Sequence, residues 1–248
     1  MTGVSLVGLG LSPKFLTEAG LSVMRNSDII FLDGYTSTSC GWNEALIYSM
    51  VGKPVTKIYR SDLEGRGIKK ILAIAKEKSI AIAVVGDPLI STTHSIIPIS
   101  AREEGINFSI VPGVSVHCYI ISKSMLSSYK FGKSVTIVEG KDPTPYRVIK
   151  ENHERGLHTI LYMDLKEDYY MTAGRAMELL LEFEKSEGGH IVYPDTKVIV
   201  GSQLGCDNET VKYMDINQVV YKYKTGGPHI VIFPSKLSSI EEEALKCL

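Results

Sequence analysis

Apolar residues occur along this chain in two rhythms. Short continuous runs at residues 4–7, 29–32, 80–85 and 107–111 have the length and Val/Ile content of buried strands. Between them, residues 14–25, 42–50 and 68–78 read as helices, and in the last Ile68, Ile71, Leu72 and Ala75 share one face. A further strand is expected at 53–58. Ser12 and Pro13 suit the start of the first helix, and Thr92 or Thr93 the start of the one after the 80–85 strand. Pro98 is expected to split that later helix into two pieces ending near Gly105. The second half continues with strands at 135–138, 158–163, 197–200, 211–214 and 229–233, and helices at 144–155, 172–184 and 240–248. Strands alternating with helices predict an α/β fold with a mostly parallel sheet. The boundary is expected between residues 112 and 130 and drawn as 1–112 and 113–248. There is no internal repeat or low-complexity linker, and the halves are expected to pack tightly.

The strand ends carry the polar information. Gly86-Asp87-Pro88 stops the 80–85 strand with a residue free to take an unusual backbone angle, a carboxylate and a residue that cannot extend the ladder. Gly8-Leu9-Gly10-Leu11-Ser12-Pro13 follows the first strand, and Pro112-Gly113-Val114-Ser115-Val116 follows the 107–111 strand. Three such loops on one sheet edge make a cleft for a small polar ligand. Pro13 stands where a dinucleotide fingerprint wants its third glycine, and only Asp33, as a ribose ligand, keeps that minor reading open.

Composition narrows the class. The 248 residues carry a net charge of −1, without the basic excess usual in a nucleic-acid binder. No apolar run approaches the ~20 residues that span a bilayer, and the N-terminus enters a strand without the basic region of a secretory signal. Cys40, Cys118, Cys206 and Cys247 lie scattered, which reads as reduced thiols and a cytoplasmic location. No nucleophile elbow, zinc-protease helix, phosphate loop or helical metal-ligand pair is present, so no metal is expected. His94 reads as a cap or hydrogen-bonding residue, and His229 as structural, with a backbone that could line a cleft. Such a sparse inventory suits a reaction whose reactive group arrives on a cofactor.

Taken together, Val7-Gly8-Leu9-Gly10-Leu11, Tyr35-Thr36-Ser37, Gly86-Asp87-Pro88 with Thr92-Thr93-His94, Tyr129-Lys130-Phe131-Gly132-Lys133-Ser134, Gly156-Leu157-His158-Thr159, Tyr170-Met171-Thr172-Ala173 and Pro228-His229 resemble the diphthine synthase family, within the tetrapyrrole-methylase class. The resemblance spans nearly the whole chain. It implies two α/β domains with S-adenosyl-L-methionine between them, usually in a homodimer. Motif by motif, it implies cofactor contacts from Leu11, Asp87, Ile90, Ser115, Val116, Met163, Leu204 and His229, mostly through backbone groups. The implied substrate is translation elongation factor 2, whose aminocarboxypropyl-histidine is methylated repeatedly on its amino nitrogen. No catalytic side chain, membrane or direct nucleic-acid partner is implied. The alternatives are a methylase of the same class acting on a tetrapyrrole or RNA, and a protein that holds the cofactor without turnover.

Three departures stand out. Asp33 replaces the family's usual Glu ahead of Tyr-Thr-Ser, Gly113-Val114-Ser115-Val116 replaces an Ala-Ser-Ile or Pro-Ser-Ile segment, and Ser202-Gln203-Leu204-Gly205 lacks an arginine.

Overall fold

The computed structural model describes residues 2–166 and 169–248. It divides into one compact unit ending at Val116 and a second from His117 to Leu248. The division falls beyond residue 112 because Gly113 packs against Gly8 and Gly86, which keeps the Pro112-Gly113 loop with the first unit.

The first unit contains β1 (Gly3–Gly8), α1 (Glu18–Asn26), β2 (Ile29–Asp33), α2 (Glu44–Val51), β3 (Val55–Ile58), α3 (Arg60–Leu63), α4 (Arg66–Ala75), β4 (Ser79–Val84), α5 (Ile96–Glu103) and β5 (Phe108–Val111). All five strands pair in parallel, in the order β3-β2-β4-β1-β5. The central strands are the most apolar because helices cover both faces. Met24 of α1 and Ile47 of α2 pack with Val7, Ala81 and Ala83, whereas Leu72 of α4 and Ile97 of α5 pack with Leu6, Ile80 and Ile82. Ile68, Ile71, Leu72 and Ala75 are all buried, as the helical spacing predicts. Truncating Leu72, which has no exposure, to Ala would cost about 2–5 kcal/mol. After β1 the chain leaves toward β2, and after β4 it leaves the other way toward β5. The neighbouring carboxyl ends of β1 and β4 are therefore a topological switch point, where α/β sheets hold ligands.

Three local expectations fail here. Ser12 and Pro13 open only a single 3-10 turn, Pro13–Phe15, and the α-helix starts afresh at Glu18, capped by the Thr17 side chain. Pro98 does not split α5: it sits in the first turn, where its missing N–H has no intrahelical partner to lose. Thr92 and Thr93 do not cap that helix either, since its N-cap is Ser95 and the Thr92 hydroxyl bonds the Pro88 carbonyl at 2.6 Å.

The second unit is built on α6 (Val116–Ser124), β6 (Val135–Ile137), α7 (Thr144–Glu154), β7 (Thr159–Met163), the short pair β8 (Leu165–Lys166) and β9 (Tyr169–Tyr170), α8 (Ala173–Glu187), β10 (Lys197–Ser202), β11 (Thr210–Asp215), α9 (Ile216–Lys222), β12 (His229–Phe233) and α10 (Ser239–Leu245). Its main sheet runs β11-β10-β12-β7-β6, and only β6 and β7 are parallel. The expectation of a mostly parallel sheet thus holds for the first unit and not for the second. Apolar periodicity locates strands but carries no direction. Helix α8 buries Ala176, Leu179, Leu180 and Phe183 against this sheet, with Tyr146 and Ile149 of α7 beside them.

Among the described residues no helix is long and apolar enough to cross a membrane. Cys118 and Cys247 are exposed thiols, but Cys40 and Cys206 are disulfide-bonded, which corrects the expectation of four reduced thiols. Spacing along a sequence does not report which cysteines are oxidised.

Candidate functional site

Three loops meet as bare backbone at the switch point of the first unit. Gly10 and Gly86 exchange both backbone hydrogen bonds at 3.0 Å, and Leu9 N–H donates to the Val84 carbonyl at 2.8 Å. A side chain at Gly113 would place its Cβ 2.1 Å from the Gly86 oxygen, and one at Gly8 would lie 2.4 Å from the Gly113 nitrogen. No residue larger than glycine fits either position without moving backbone. Gly86 also needs its freedom for another reason, since its φ is +78°.

Asp87 locks this junction. Its Oδ1 accepts from Leu89 N–H at 2.9 Å and Ile90 N–H at 3.2 Å, and its Oδ2 accepts from Gly113 N–H at 3.1 Å. The carboxylate is thus engaged with the backbone of two loops, the work of a loop fixer rather than of a proton donor. Leu11 is buried and its carbonyl accepts from the Ser39 hydroxyl at 2.6 Å. Ser115 is buried at the mouth of the third loop, Val116 opens α6, and Ile90 stands 43% exposed on the Gly-Asp-Pro loop. The structure therefore gathers Leu11, Asp87, Ile90, Ser115 and Val116 at one edge of the first sheet. Ser12 adds a buried hydroxyl with no hydrogen-bond partner among the described residues.

Asp33 ends up facing its own turn. It is 2% exposed, with Oδ1 accepting from Tyr35 N–H at 3.0 Å and Thr36 N–H at 3.4 Å, while the Thr36 hydroxyl bonds Oδ2. A ribose cannot reach it, and the dinucleotide reading loses its remaining residue. His94 lies against it, Nε2 at 3.4 Å from Asp33 Oδ2, with Nδ1 at 3.1 Å from the Pro88 carbonyl. Burial pulls the His94 pKa down, against the opposing pull of Asp33.

In the second unit, Met163 ends β7, Leu204 follows β10 and His229 begins β12. The pairings Ser202↔His229 and Ile230↔Tyr162 bring these three to one edge of that sheet. His229 is buried, and desolvation lowers its pKa to about 4, so the imidazole is neutral at pH 7. Its Nδ1 accepts from Ala173 N–H, at the first turn of α8, at 3.3 Å. Tyr223 meets its ring edge-on at 5.3 Å.

Sequence reading missed other side chains near these edges. His117, in the first turn of α6, pairs with the Tyr162 hydroxyl at 2.5 Å, and its pKa is lowered by burial. Tyr119 donates to Glu209, which also accepts from Gly205 N–H at 2.8 Å. These partners lie dozens of residues apart, so no local spacing signals them. The Tyr-Lys-Phe-Gly-Lys-Ser and Gly-Leu-His-Thr segments form an anchor for the C-terminal helix. Lys130 and His158 both bond the Glu241 carboxylate of α10, and Gly132 N–H donates to the His158 carbonyl at 2.9 Å.

The match to known proteins is full-length. The family described as Tetrapyrrole (Corrin/Porphyrin) Methylases matches residues 3–219. The diphthine synthase of Metallosphaera sedula is 46% identical over 253 aligned residues, covering 100% of both chains. That of Sulfurisphaera tokodaii is 48% identical over 255, covering 100% of this chain and 99% of the relative. A crystal structure of diphthine synthase superposes with a TM-score of 0.89 at 30% identity, over 98% of this chain and 94% of that one. Glycine loops at a switch point, a loop-fixing aspartate and this end-to-end similarity lead to one assignment: the chain belongs to the tetrapyrrole methylase family, among the diphthine synthases.

Proposed function

We propose that this protein methylates the amino nitrogen of the aminocarboxypropyl-histidine of translation elongation factor 2, repeatedly, to give diphthine, with S-adenosyl-L-methionine as donor. The observation that carries this reading is the 46–48% identity to diphthine synthases along the full chain. The cofactor, when bound, supplies an electrophilic methyl group on a sulfonium. The residues fit such a ligand: bare backbone at a switch point, an exposed apolar Ile90 and the buried Ser12 hydroxyl suit a nucleoside carrying a charged amino-acid tail.

In this reading Leu11, Asp87, Ile90, Ser115 and Val116 hold the cofactor from the first unit, and Met163, Leu204 and His229 from the second. Asp87 acts through the backbone it fixes. The chain's contribution to rate is alignment and exclusion of water, since in-line displacement by a free amine needs no protein nucleophile. We also read the protein as a homodimer, placed in the cytoplasm by its elongation-factor substrate rather than by its thiols, since Cys40 and Cys206 are disulfide-bonded. Ile96 and Ile99 of α5 and Phe108 and Ile110 of the edge strand β5 are exposed, and a second copy would cover them. Incubation with elongation factor 2 bearing the unmethylated intermediate should raise its mass in steps of one methyl. No mass gain, with cofactor binding intact by calorimetry, would leave a binding protein without turnover.

A further inference from the structure

The Tyr-Thr-Ser and Thr-Thr-His segments lie far apart in sequence, and neither contains one of the proposed cofactor contacts. The structure joins them. Asp33 organises the first by accepting from two backbone N–H groups and the Thr36 hydroxyl. In the second, Thr92 donates its hydroxyl to the Pro88 carbonyl at 2.6 Å and accepts from His94 N–H at 3.3 Å, which fixes the approach of the His94 ring. That ring is 1% exposed, and the Tyr35 ring meets it edge-on with centroids 6.2 Å apart.

A carbonyl oxygen can only accept, so the His94 nitrogen facing the Pro88 carbonyl must carry the proton. The neutral imidazole is then the Nδ1–H tautomer. Its Nε2 lone pair points toward Asp33 Oδ2 across 3.4 Å and has no hydrogen-bond partner among the described residues. Burial opposes protonation there, while Asp33 and the more distant Glu64 favour it. Tyr35 is the other titratable group against the ring, and Arg60 of α3 acts on Tyr35.

We propose that His94 is a positioning residue for the cofactor loop: its Nδ1–H holds the Pro88 carbonyl and sets the Gly86-Asp87-Pro88 turn against the Tyr35-Thr36 turn that Asp33 organises. This rests on the reading of Gly86-Asp87-Pro88 as a cofactor loop. The arrangement explains why a fully buried histidine sits beside that loop, and why an aspartate two residues ahead of Tyr-Thr-Ser turns inward. His94 bonds the Pro88 carbonyl after β4 and packs edge-on against Tyr35 after β2, so the loops after both strands meet on one ring.

Two amides separate the halves of the ring. His94→Asn keeps a donor near the Nδ1 position, whereas His94→Gln moves the amide out to the Nε2 position and loses the bond to Pro88. S-adenosyl-L-methionine affinity, measured by calorimetry, should fall roughly five- to tenfold in H94Q, the effect of one buried hydrogen bond. H94N should restore most of that loss. A purely structural histidine would lower the melting temperature of both variants and leave their affinities alike. Nitrogen-15 spectra of the wild type at pH 7.5 should show a neutral His94 protonated on Nδ1. In Asp33→Asn the midpoint of its titration should drop, because the carboxylate that favours the imidazolium is gone. An Nε2–H tautomer, an unmoved midpoint in D33N, or equal affinities in H94N and H94Q would each overturn the inference while leaving the methyltransferase reading intact. A wild-type chain that fails to bind the cofactor would overturn both.

Discussion

Glu241 offers the sharpest test of how the second unit is held together. Its carboxylate is 2% exposed. It accepts from Lys130 Nζ, from His158 Nε2 at 3.1 Å, from Ser127 N–H at 3.1 Å, and from Ser238 N–H and Oγ at 2.8 and 3.0 Å. Glu241→Ala would leave the Lys130 ammonium, 28% exposed in its side chain, with the Lys236 carbonyl but no counter-charge, beside a buried imidazole N–H and the N–H groups of Ser127 and Ser238. Breaking one partner of a buried pair costs about 3–5 kcal/mol, because the other charge stays behind. For a chain of this length each kcal/mol is worth about 2–4 °C, so the melting temperature should fall by roughly 6–20 °C. Burial raises the Glu241 pKa, but Lys130, Ser238, His158 and Ser127 outweigh it and hold the carboxyl well below its usual range. A lowered carboxyl contributes stability that is complete above the unfolded value near 4.5 and is lost as pH falls toward the native one. Scanning calorimetry from pH 7 down to 3 should therefore show the wild type approaching E241A. A cost below about 1 kcal/mol at pH 7, or parallel pH curves, would refute the reasoning.

Three further outcomes follow from the geometry. Asp87→Ala leaves the N–H groups of Leu89, Ile90 and Gly113 without their acceptor and should weaken cofactor binding by more than about tenfold in a calorimetric titration; Asp87→Asn keeps oxygen at one position and should lose less. Gly113→Ala forces a Cβ to 2.1 Å from the Gly86 oxygen, so about 1–3 kcal/mol of overpacking strain should appear in denaturant unfolding together with loss of binding. His229 titrates at about 4 in the native state against 6.5 when unfolded, so its contribution is complete above 6.5 and is lost as pH falls toward 4. That is up to about 3 kcal/mol, and His229→Asn should flatten this part of the stability profile; a profile as steep as that of the wild type would count against the buried neutral ring.

The first unit was largely legible because its architecture is written in periodicity. The runs at β1, β2 and β4 are too short for helices, and the spacing of Ile68, Ile71, Leu72 and Ala75 admits only a helix with one buried face. The glycine loops marked the strand ends where a small ligand is expected, but not that Gly8 and Gly113 press main chain against main chain. What stayed hidden depends on position in space. Whether Pro98 breaks a helix turns on its distance from the first turn, and whether Asp33 can meet a ligand turns on where its side chain rotates. The direction of the strands in the second sheet and the anchoring of Lys130 and His158 by Glu241 rest on meetings that local pattern does not encode.

The junction of Gly8, Gly86 and Gly113 also bears on how such a protein can change. A methyl group at Gly8 or Gly113 collides with main chain rather than with a side chain that could be trimmed elsewhere, and Gly86 is held to glycine by its φ of +78°. No single compensating substitution restores the fit. Changes in ligand preference are thereby channelled to the rim, to positions such as Ile90 and Val116 whose side chains can be exchanged without moving main chain.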